Sequence, residues 1–153
     1  TAPACNDGLR NGVETDVDCG GGAECAKRCA VLVLSHTADT HPWFVAARAT
    51  KNTAYEDRYV WADPKENGDP PNNWLSVFGG AAWTFQETRK QYYLHNFLSS
   101  QPDLNYHNPM VREEALSIAR YWLDKGVDGF RMDVVNFYFQ YLDQPQREHL
   151  QQA

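Results

Sequence analysis

The chain has no cysteine after residue 29, no long apolar run and no excess of basic residues. A membrane-spanning helix needs about 18 consecutive apolar residues, so we expect no membrane partner. The 14 lysines and arginines are outnumbered by 20 aspartates and glutamates, which gives a net charge of -6. Nucleic-acid binding needs a basic surface, so we expect no nucleic-acid partner either. A length of 153 residues fits one ordinary domain with a real core.

The cysteines that are present all lie within the first thirty residues, at Cys5, Cys19, Cys25 and Cys29. Clustered among Gly, Asn and Asp, they predict a small disulfide-rich loop segment over residues 1–30, formed in an oxidising compartment. Zinc is the alternative, but the spacing contains no CxxC pair and no nearby histidine. We therefore expect an extracellular or periplasmic protein. A cytoplasmic location is the alternative, because the other residues carry no thiol.

The same segment carries acidic and amide side chains between its glycines, at Asp7, Asn11, Asp16 and Asp18. Oxygen ligands on loops suit calcium, so these residues form a predicted calcium site. Their spacing is not that of an EF-hand loop, and an acidic loop that is merely solvated is the alternative. We expect no other cofactor to be required.

Two predicted strands flank a long excursion and a helix. Val31 to Ser35 is a continuous apolar run, VLVLS, which predicts a strand buried on both faces, as in a parallel sheet. The helix begins after the capping residue Asn108, with Pro109 at its first position, and Gly126 ends it. Alternating residues in DGFRMDVV predict the second strand. Strand, crossover, helix and strand make a βαβ unit, and therefore an α/β fold with an oversized loop.

Between the first strand and the helix, residues 36–105 are rich in Trp, Tyr, Pro, Gly and Asn, which predicts an irregular excursion. Two short strands are predicted inside it, around Trp83 to Gln86 and Gln91 to Phe97, joined by the charged turn ETRK. We expect no function for the polar tail over residues 140–153. The helix has a predicted apolar face at Val111, Ala115, Ile118, Ala119 and Trp122.

Asp133 lies at the end of the second predicted strand, and Arg131 two residues earlier lies on the same face. In barrels of alternating strands and helices, reacting groups lie where the strands end. Asp133 is therefore a candidate catalytic residue, and Arg131 would keep its carboxylate ionised and oriented, as a nucleophile requires. A structural hydrogen-bonding role for Asp133 and a structural ion pair between the two side chains are the alternatives.

Three further motifs lie in the chain: LSHTADTHPWF at 34–44, QPDLNYHNP at 101–109 and GVDGFRMDVVNFY at 126–138. Together they resemble glycoside hydrolase family 13, the α-amylase superfamily. The first is similar to the end of that family's third strand, the second to the motif that closes its inserted B domain, and the third to its nucleophile-bearing fourth strand. The α-glucosidase and oligo-1,6-glucosidase branch is the most similar. The resemblance covers residues 31–139 and implies a partial (β/α)8 barrel: strand 3, a B domain at about 36–105, helix 3 and strand 4.

The resemblance also implies roles toward an α-glucoside oligosaccharide or disaccharide. Asp133 would attack the anomeric carbon, Arg131 would position it, and His36 would bind the sugar. A structural role is the alternative for His36. Asp103 and Asn105 would hold the B-domain hinge by hydrogen bonds. Two roles are compatible with the four tryptophans of the loop: stacking on sugar rings and packing within a small core of the loop itself. These residues are Trp43, Trp61, Trp74 and Trp83. The cysteine-rich head resembles motifs of bacterial extracellular proteins.

The chain departs from the family pattern at two points. Val31 stands where the third-strand motif usually has Asp. Retaining glycosidases also need a second carboxyl group about 5–5.5 Å from the nucleophile, as acid and then base, and the setting of Glu148 does not match the family's acid on strand five. We therefore expect a glycoside hydrolase by ancestry that is inactive alone. A secreted non-catalytic module that binds calcium or carbohydrate is one alternative, and a gene-fusion product without selected function is another.

Overall fold

The structure is a computed structural model that describes residues 28–51 and 53–139. These residues divide into two units: within the described ranges, the smaller joins residues 28–33 with Glu114–Asp133, and the larger joins Leu34–Glu113 with residues 134–139. In chain order the elements are β1 (Cys29–Leu32), α1 (Pro42–Ala49), β2 (Trp61–Ala62), β3 (Trp83–Gln86), β4 (Gln91–Leu94), α2 (Pro109–Asp124), β5 (Gly129–Met132) and a 3-10 turn (Val135–Phe137).

The smaller unit contains the predicted parallel pair of strands. β1 pairs with β5 in a register that runs from Cys29 opposite Gly129 to Leu32 opposite Met132. The pairing continues past the end of β5, because the Asp133 N–H donates to Leu32 O at 2.9 Å. Parallel strands joined by a long crossover that ends in a helix are the repeating element of a (β/α)8 barrel. The α/β prediction is confirmed in its parallel pair of strands joined through a helix.

The predicted bounds and burial of the first strand are wrong. It spans Cys29–Leu32 rather than Val31 to Ser35, because the chain leaves the parallel pair after Leu32 and Ser35 O accepts from Leu104 N at 2.9 Å instead. Val31 is 56% exposed and Val33 45% exposed. A parallel sheet is buried on both faces when helices cover it, whereas in the described residues this sheet has two strands.

Helix α2 begins and ends as its capping residues predict. Asn108 Oδ1 accepts from Met110 N at 2.8 Å, which satisfies one of the free N–H groups of the first turn. At the other end Gly126 has φ of +88°, and the next N–H, of Val127, donates to Trp122 O at 3.1 Å. This arrangement is a Schellman motif, which favours glycine at the left-handed position.

The predicted apolar face of α2 is buried only at its start. Val111 is 2% exposed, whereas Ala115, Ile118 and Ala119 are half-buried and Trp122 is exposed. The periodicity identified the helix correctly, but it gave no information on how many layers cover that face. No helix among residues 28–51 and 53–139 is long and apolar enough to cross a membrane.

The larger unit is built on a three-stranded antiparallel sheet in the order β2, β4, β3. The hairpin β3–β4 confirms the two predicted strands and the ETRK turn between them, although β4 ends at Leu94 rather than Phe97. Lys90, with φ of +57°, closes the turn, and its N–H donates to Gln86 O at 2.8 Å. A buried cluster packs on this sheet: Val60, Trp74, Ala82, Trp83 and Leu94.

Helix α1 was missed in the predicted excursion. Its N-cap is His41, whose Nδ1 accepts from Trp43 N at 3.2 Å, and Pro42 occupies the first helical position. Phe44, which is 1% exposed, is the buried anchor of the helix. Its ring lies 5.0 Å from both Tyr59 and Tyr93, in edge-to-face geometry, which is favourable for aromatic pairs. The excursion is therefore a packed unit with its own aromatic core.

Candidate functional site

Asp133 and Arg131 lie together at the carboxyl end of β5. Arg131 Nη2 lies 3.3 Å from Asp133 Oδ1, and the two side chains are 60% and 35% exposed. Residues i and i+2 of a strand lie on one face, which is the basis of the predicted juxtaposition. The distance between the two side chains confirms it. The Asp133 backbone is fixed by its bond to Leu32 O. The arrangement provides an accessible carboxylate with a guanidinium beside it.

The backbone turns sharply directly after Asp133. Val134 has φ of +50° and ψ of +35°, a left-handed conformation that a β-branched residue adopts at a cost of roughly 1–2 kcal/mol. The 3-10 turn Val135–Phe137 follows at once. The strand therefore ends at Met132, and Asp133 occupies the first position beyond it, where barrel enzymes carry their reacting groups.

His36 lies in the larger unit with both ring nitrogens hydrogen-bonded. Its Nδ1 lies 2.9 Å from Ser35 Oγ, and its Nε2 lies 3.0 Å from the amide nitrogen of Gln101. The ring also contacts Phe97, with 5.5 Å between centroids. Partial burial removes water from the ring and lowers the pKa of His36 below its usual value. His36 is therefore a neutral side chain near pH 7.

The QPDLN motif joins several segments of the larger unit by hydrogen bonds. Asp103, which is 1% exposed, accepts from both the backbone and the side-chain N–H groups of Asn96. Its own backbone is held between Leu94 O and Val60 N, at 2.9 and 3.1 Å. Asn105 Nδ2 donates to Asp57 O at 3.1 Å. Asp103 and Asn105 therefore serve in hydrogen bonds within the chain, as predicted.

The four tryptophans that could have stacked on sugar serve mainly in the unit's own packing. Trp74 and Trp83 are buried at 3% and 4% exposure. Trp61 is half-buried and stacks on Phe44 at 5.7 Å. Trp43 carries the guanidinium of Arg58 4.0 Å from its ring centroid. The core interpretation is confirmed for Trp74 and Trp83, since their faces are not accessible to a ligand.

Arg89, in the ETRK turn, is buried, although no pattern in the sequence indicated it. Its exposed fraction is 6%, and Nη1 donates to Ala47 O at 2.8 Å, at the end of α1. Nη2 donates to Glu56 O at 3.3 Å, and the guanidinium lies 4.3 Å from the Trp61 ring centroid. Burial lowers the pKa of Arg89, which the nearby Glu56 and two aspartates oppose. Arg89 thus joins α1 to the sheet through backbone carbonyls.

The predicted calcium ligands Asp7, Asn11, Asp16 and Asp18 lie outside the described residues. Within the described ranges, no group of three or more His, Cys, Asp or Glu side chains could hold a metal ion. Cys5, Cys19 and Cys25 also lie outside the described residues, so the disulfide-rich segment stays a prediction.

Comparison with known proteins places these features in a family. The profile described as alpha amylase, catalytic domain, matches residues 29–153. The chain belongs to this family. It is 65% identical over 108 residues to the "Probable alpha-glucosidase" of Rhizobium meliloti (strain 1021), covering 71% of this chain and 20% of that protein. It is 52% identical over 117 residues to the "Oligo-1,6-glucosidase" of Heyndrickxia coagulans, covering 76% of this chain and 21% of that protein.

Solved structures of the α-amylase family have the same fold over this stretch. The alpha-glucosyl transfer enzyme XgtA matches with a TM-score of 0.76 and 52% identity, over 78% of this chain and 22% of that one. The chain thus spans about a fifth of the length of the curated relatives it matches. Residues 29–139 therefore form a part of an α-amylase catalytic domain, and this part contains Asp133, Arg131 and His36.

Proposed function

We propose that this chain carries the nucleophile strand of a retaining α-glucosidase, with Asp133 as the nucleophile. The observation that carries the proposal is the Arg131–Asp133 pair, 3.3 Å apart at the end of a parallel strand. The carboxylate is partly exposed, so a substrate can reach it. In this mechanism the carboxylate attacks the anomeric carbon while the glycosidic bond breaks and a general acid protonates the departing oxygen. Water, deprotonated by the same group acting as base, then hydrolyses the covalent glucosyl-enzyme and frees the carboxylate.

Arg131 and His36 would act on binding and orientation. A guanidinium holds a carboxylate in a fixed geometry through its planar N–H groups, which supports Arg131 as the residue that positions Asp133. His36 is neutral and half-buried beside a polar side chain and an aromatic ring. Such a mixed surface suits a sugar, whose ring has both hydroxyl groups and apolar C–H faces. We assign His36 to substrate binding.

The proposed substrate is an α-linked glucoside, either a disaccharide or an oligosaccharide. Support comes from the relatives, which are named as an alpha-glucosidase and an oligo-1,6-glucosidase. We further propose that β1, α2 and β5 are the third strand, third helix and fourth strand of the barrel. Residues 31–139 would then be the barrel part, with the B domain inserted at about 36–105, and residues 140–153 would be a polar tail. The compact aromatic unit between β1 and α2 supports this division.

We also propose that the 153-residue chain does not turn over an α-glucoside by itself. A general acid contributes about 10²–10⁴ in rate, and retaining glycosidases need one close to the nucleophile. The chain matches about a fifth of the length of its relatives, and Glu148, which follows Asp133 in the sequence, lies in a setting that does not match the family's acid.

For the head, the proposal remains a disulfide-rich segment with a calcium site, on a protein outside the cytoplasm. The clustering of all four cysteines within the first thirty residues supports an oxidising compartment. Calorimetric titration of calcium into the chain tests the calcium site. Absence of binding would contradict it.

A chimera tests the proposed function. Residues 31–139 would replace the matching segment of the Rhizobium meliloti relative, with which the chain shares 65% identity over 108 residues. We expect the chimera to release glucose from maltose or from an aryl α-glucoside, and Asp133→Asn to abolish this release. Asp124→Asn, on the exposed end of α2, is the matched control and should keep the activity. A folded chimera whose activity survives Asp133→Asn would refute the assignment.

A further inference from the structure

The side chain of Gln101 has one possible orientation beside His36. Its amide oxygen accepts from Leu98 N at 3.1 Å, so the amide nitrogen is the atom that faces His36 Nε2 at 3.0 Å. The reverse orientation would place two donors against each other at Leu98. The turn from Leu98 to Gln101 is itself held, because Gln101 N donates to Leu98 O at 2.8 Å.

Two further bonds fix this turn in the larger unit. Tyr93 Oη donates to Ser99 O at 2.9 Å, and Asp39 N donates to Ser100 O at 2.9 Å. The amide of Gln101 is therefore presented to His36 from a turn that is anchored on both sides. Because the turn is already fixed, little conformational entropy is lost when the Gln101 amide donates to His36.

The orientation of Gln101 determines which nitrogen of His36 carries the proton. An amide nitrogen donates and does not accept, so Nε2 of His36 accepts. In the neutral ring the proton then lies on Nδ1, which donates to Ser35 Oγ at 2.9 Å. We propose that Gln101 is a positioning residue that holds His36 as the Nδ1–H tautomer, so that Nε2 meets a sugar as a hydrogen-bond acceptor.

This inference rests on the proposed function and makes it more specific. The sugar group that replaces the Gln101 amide at Nε2 must donate a proton, as a hydroxyl does. An ether oxygen at that place would leave Nε2 without a donor, which is unfavourable in a partly dehydrated site. In the sugar-free chain Gln101, 65 positions from His36 in the sequence, therefore leaves Nε2 as the acceptor that an incoming hydroxyl meets.

Nitrogen NMR of the histidine rings of the full 153-residue chain tests the tautomer. At about pH 8, well above the usual histidine pKa, we expect His36 to show a protonated Nδ1 and an unprotonated Nε2. In Gln101→Met, which keeps the length but loses the donor, the resonances should shift toward the Nε2–H form. Gln86→Met, at the end of β3, is the matched control and should leave the His36 resonances unchanged.

His95 reports in the same spectrum whether the variant is folded. Its Nδ1 lies 3.1 Å from Phe97 O and must donate there, and its Nε2 lies 2.9 Å from Thr84 Oγ1, so His95 is also an Nδ1–H tautomer. A wild-type His36 with its proton on Nε2 would overturn the proposal. So would an unchanged His36 tautomer in a Gln101→Met chain that keeps the His95 signals.

Titration with methyl α-glucoside separates the tautomer from the sugar site. If both proposals hold, the sugar shifts the Nε2 resonance of wild-type His36 while Nδ1 stays protonated. A predicted tautomer that does not respond to the sugar would count against sugar binding at His36 in this chain. It would leave the effect of Gln101 on His36 established. If the sugar shifts the resonances of a His36 ring that is protonated on Nε2, sugar binding at His36 would be supported and the proposed effect of Gln101 would be contradicted.

Discussion

The guanidinium of Arg131 lies 3.3 Å from the carboxylate of Asp133, and both side chains are partly open to solvent. Exposed ion pairs contribute about 0.2–1 kcal/mol to stability, because water screens them and their side chains lose freedom. The pair therefore adds little to the free energy of unfolding. We propose that the pair instead holds the carboxylate in one orientation at the end of β5.

Substitution of Arg131 should separate activity from stability. In the chimera, Arg131→Lys keeps the charge but loses the planar fork that fixes a carboxylate. We expect kcat/KM for an α-glucoside to fall by roughly 10²-fold, the usual cost of a misplaced reacting group. The urea midpoint should change little, in keeping with a pair worth at most about 1 kcal/mol. An equal loss of stability and activity would indicate a structural ion pair.

Phe44 should be the most sensitive aromatic residue of the larger unit. Phe44→Ala removes a ring that is 1% exposed and that contacts Tyr59, Trp61 and Tyr93. We expect a loss of about 3–5 kcal/mol, measured by urea unfolding followed by tryptophan fluorescence. Phe78→Ala, at a site that is 67% exposed, should change stability by about 0.5 kcal/mol or less. Similar effects at both sites would contradict the described packing.

Arg89 should be needed for stability although it lies in a charged turn. Arg89→Met removes the guanidinium that donates to the buried carbonyl of Ala47 and to the partly buried carbonyl of Glu56, which we expect to cost about 3–5 kcal/mol. Arg89→Lys should recover only part of this, because one ammonium cannot reach both carbonyls. Lys90→Met, next to it in an exposed pair with Glu87, should cost at most about 1 kcal/mol. Thermal unfolding of the three variants checks the order.

The stability of the larger unit should fall in mild acid. Burial lowers the pKa of both His36 and His95, so below about pH 6.5 the unfolded chain takes up protons that the folded chain resists. The stabilisation is complete above the unfolded pKa and is lost as the pH falls below it. His95→Gln should flatten the dependence of the urea midpoint between about pH 5 and 7. A dependence of equal slope in this variant would exclude His95 as a cause.

Local signals in the sequence predicted the parts of the fold that local chemistry determines. Asn108 and Gly126 delimit α2 because capping depends on residues within one turn of the helix end. The ETRK turn was found for the same reason. The end of β1 was misplaced because Ser35 pairs with Leu104, which is far away in the sequence. Helix α1 was missed because it is short and begins at a histidine, which is not among the preferred capping residues.

The candidate site was predicted in part. The contacts that were missed join residues that are distant in the sequence, as in the fold. The Arg131–Asp133 juxtaposition follows from the period of a strand, so two residues and one rule were enough. The contact between His36 and Gln101 joins segments on opposite sides of the excursion, and no periodicity indicates it. The burial of Arg89 depends on carbonyls from two other segments. The chemical roles of Asp133, Arg131 and His36 stay predictions.

Trapping of the covalent intermediate tests the central claim most directly. The chimera would be treated with a fluorinated α-glucosyl fluoride, which forms a glucosyl-enzyme that hydrolyses slowly, and the labelled peptide would be sequenced by mass spectrometry. Our account predicts one fluoroglucosyl group, attached to Asp133 in the peptide that contains GFRMDVV, and none in Asp133→Asn. An active chimera that carries the label on any other residue would contradict it.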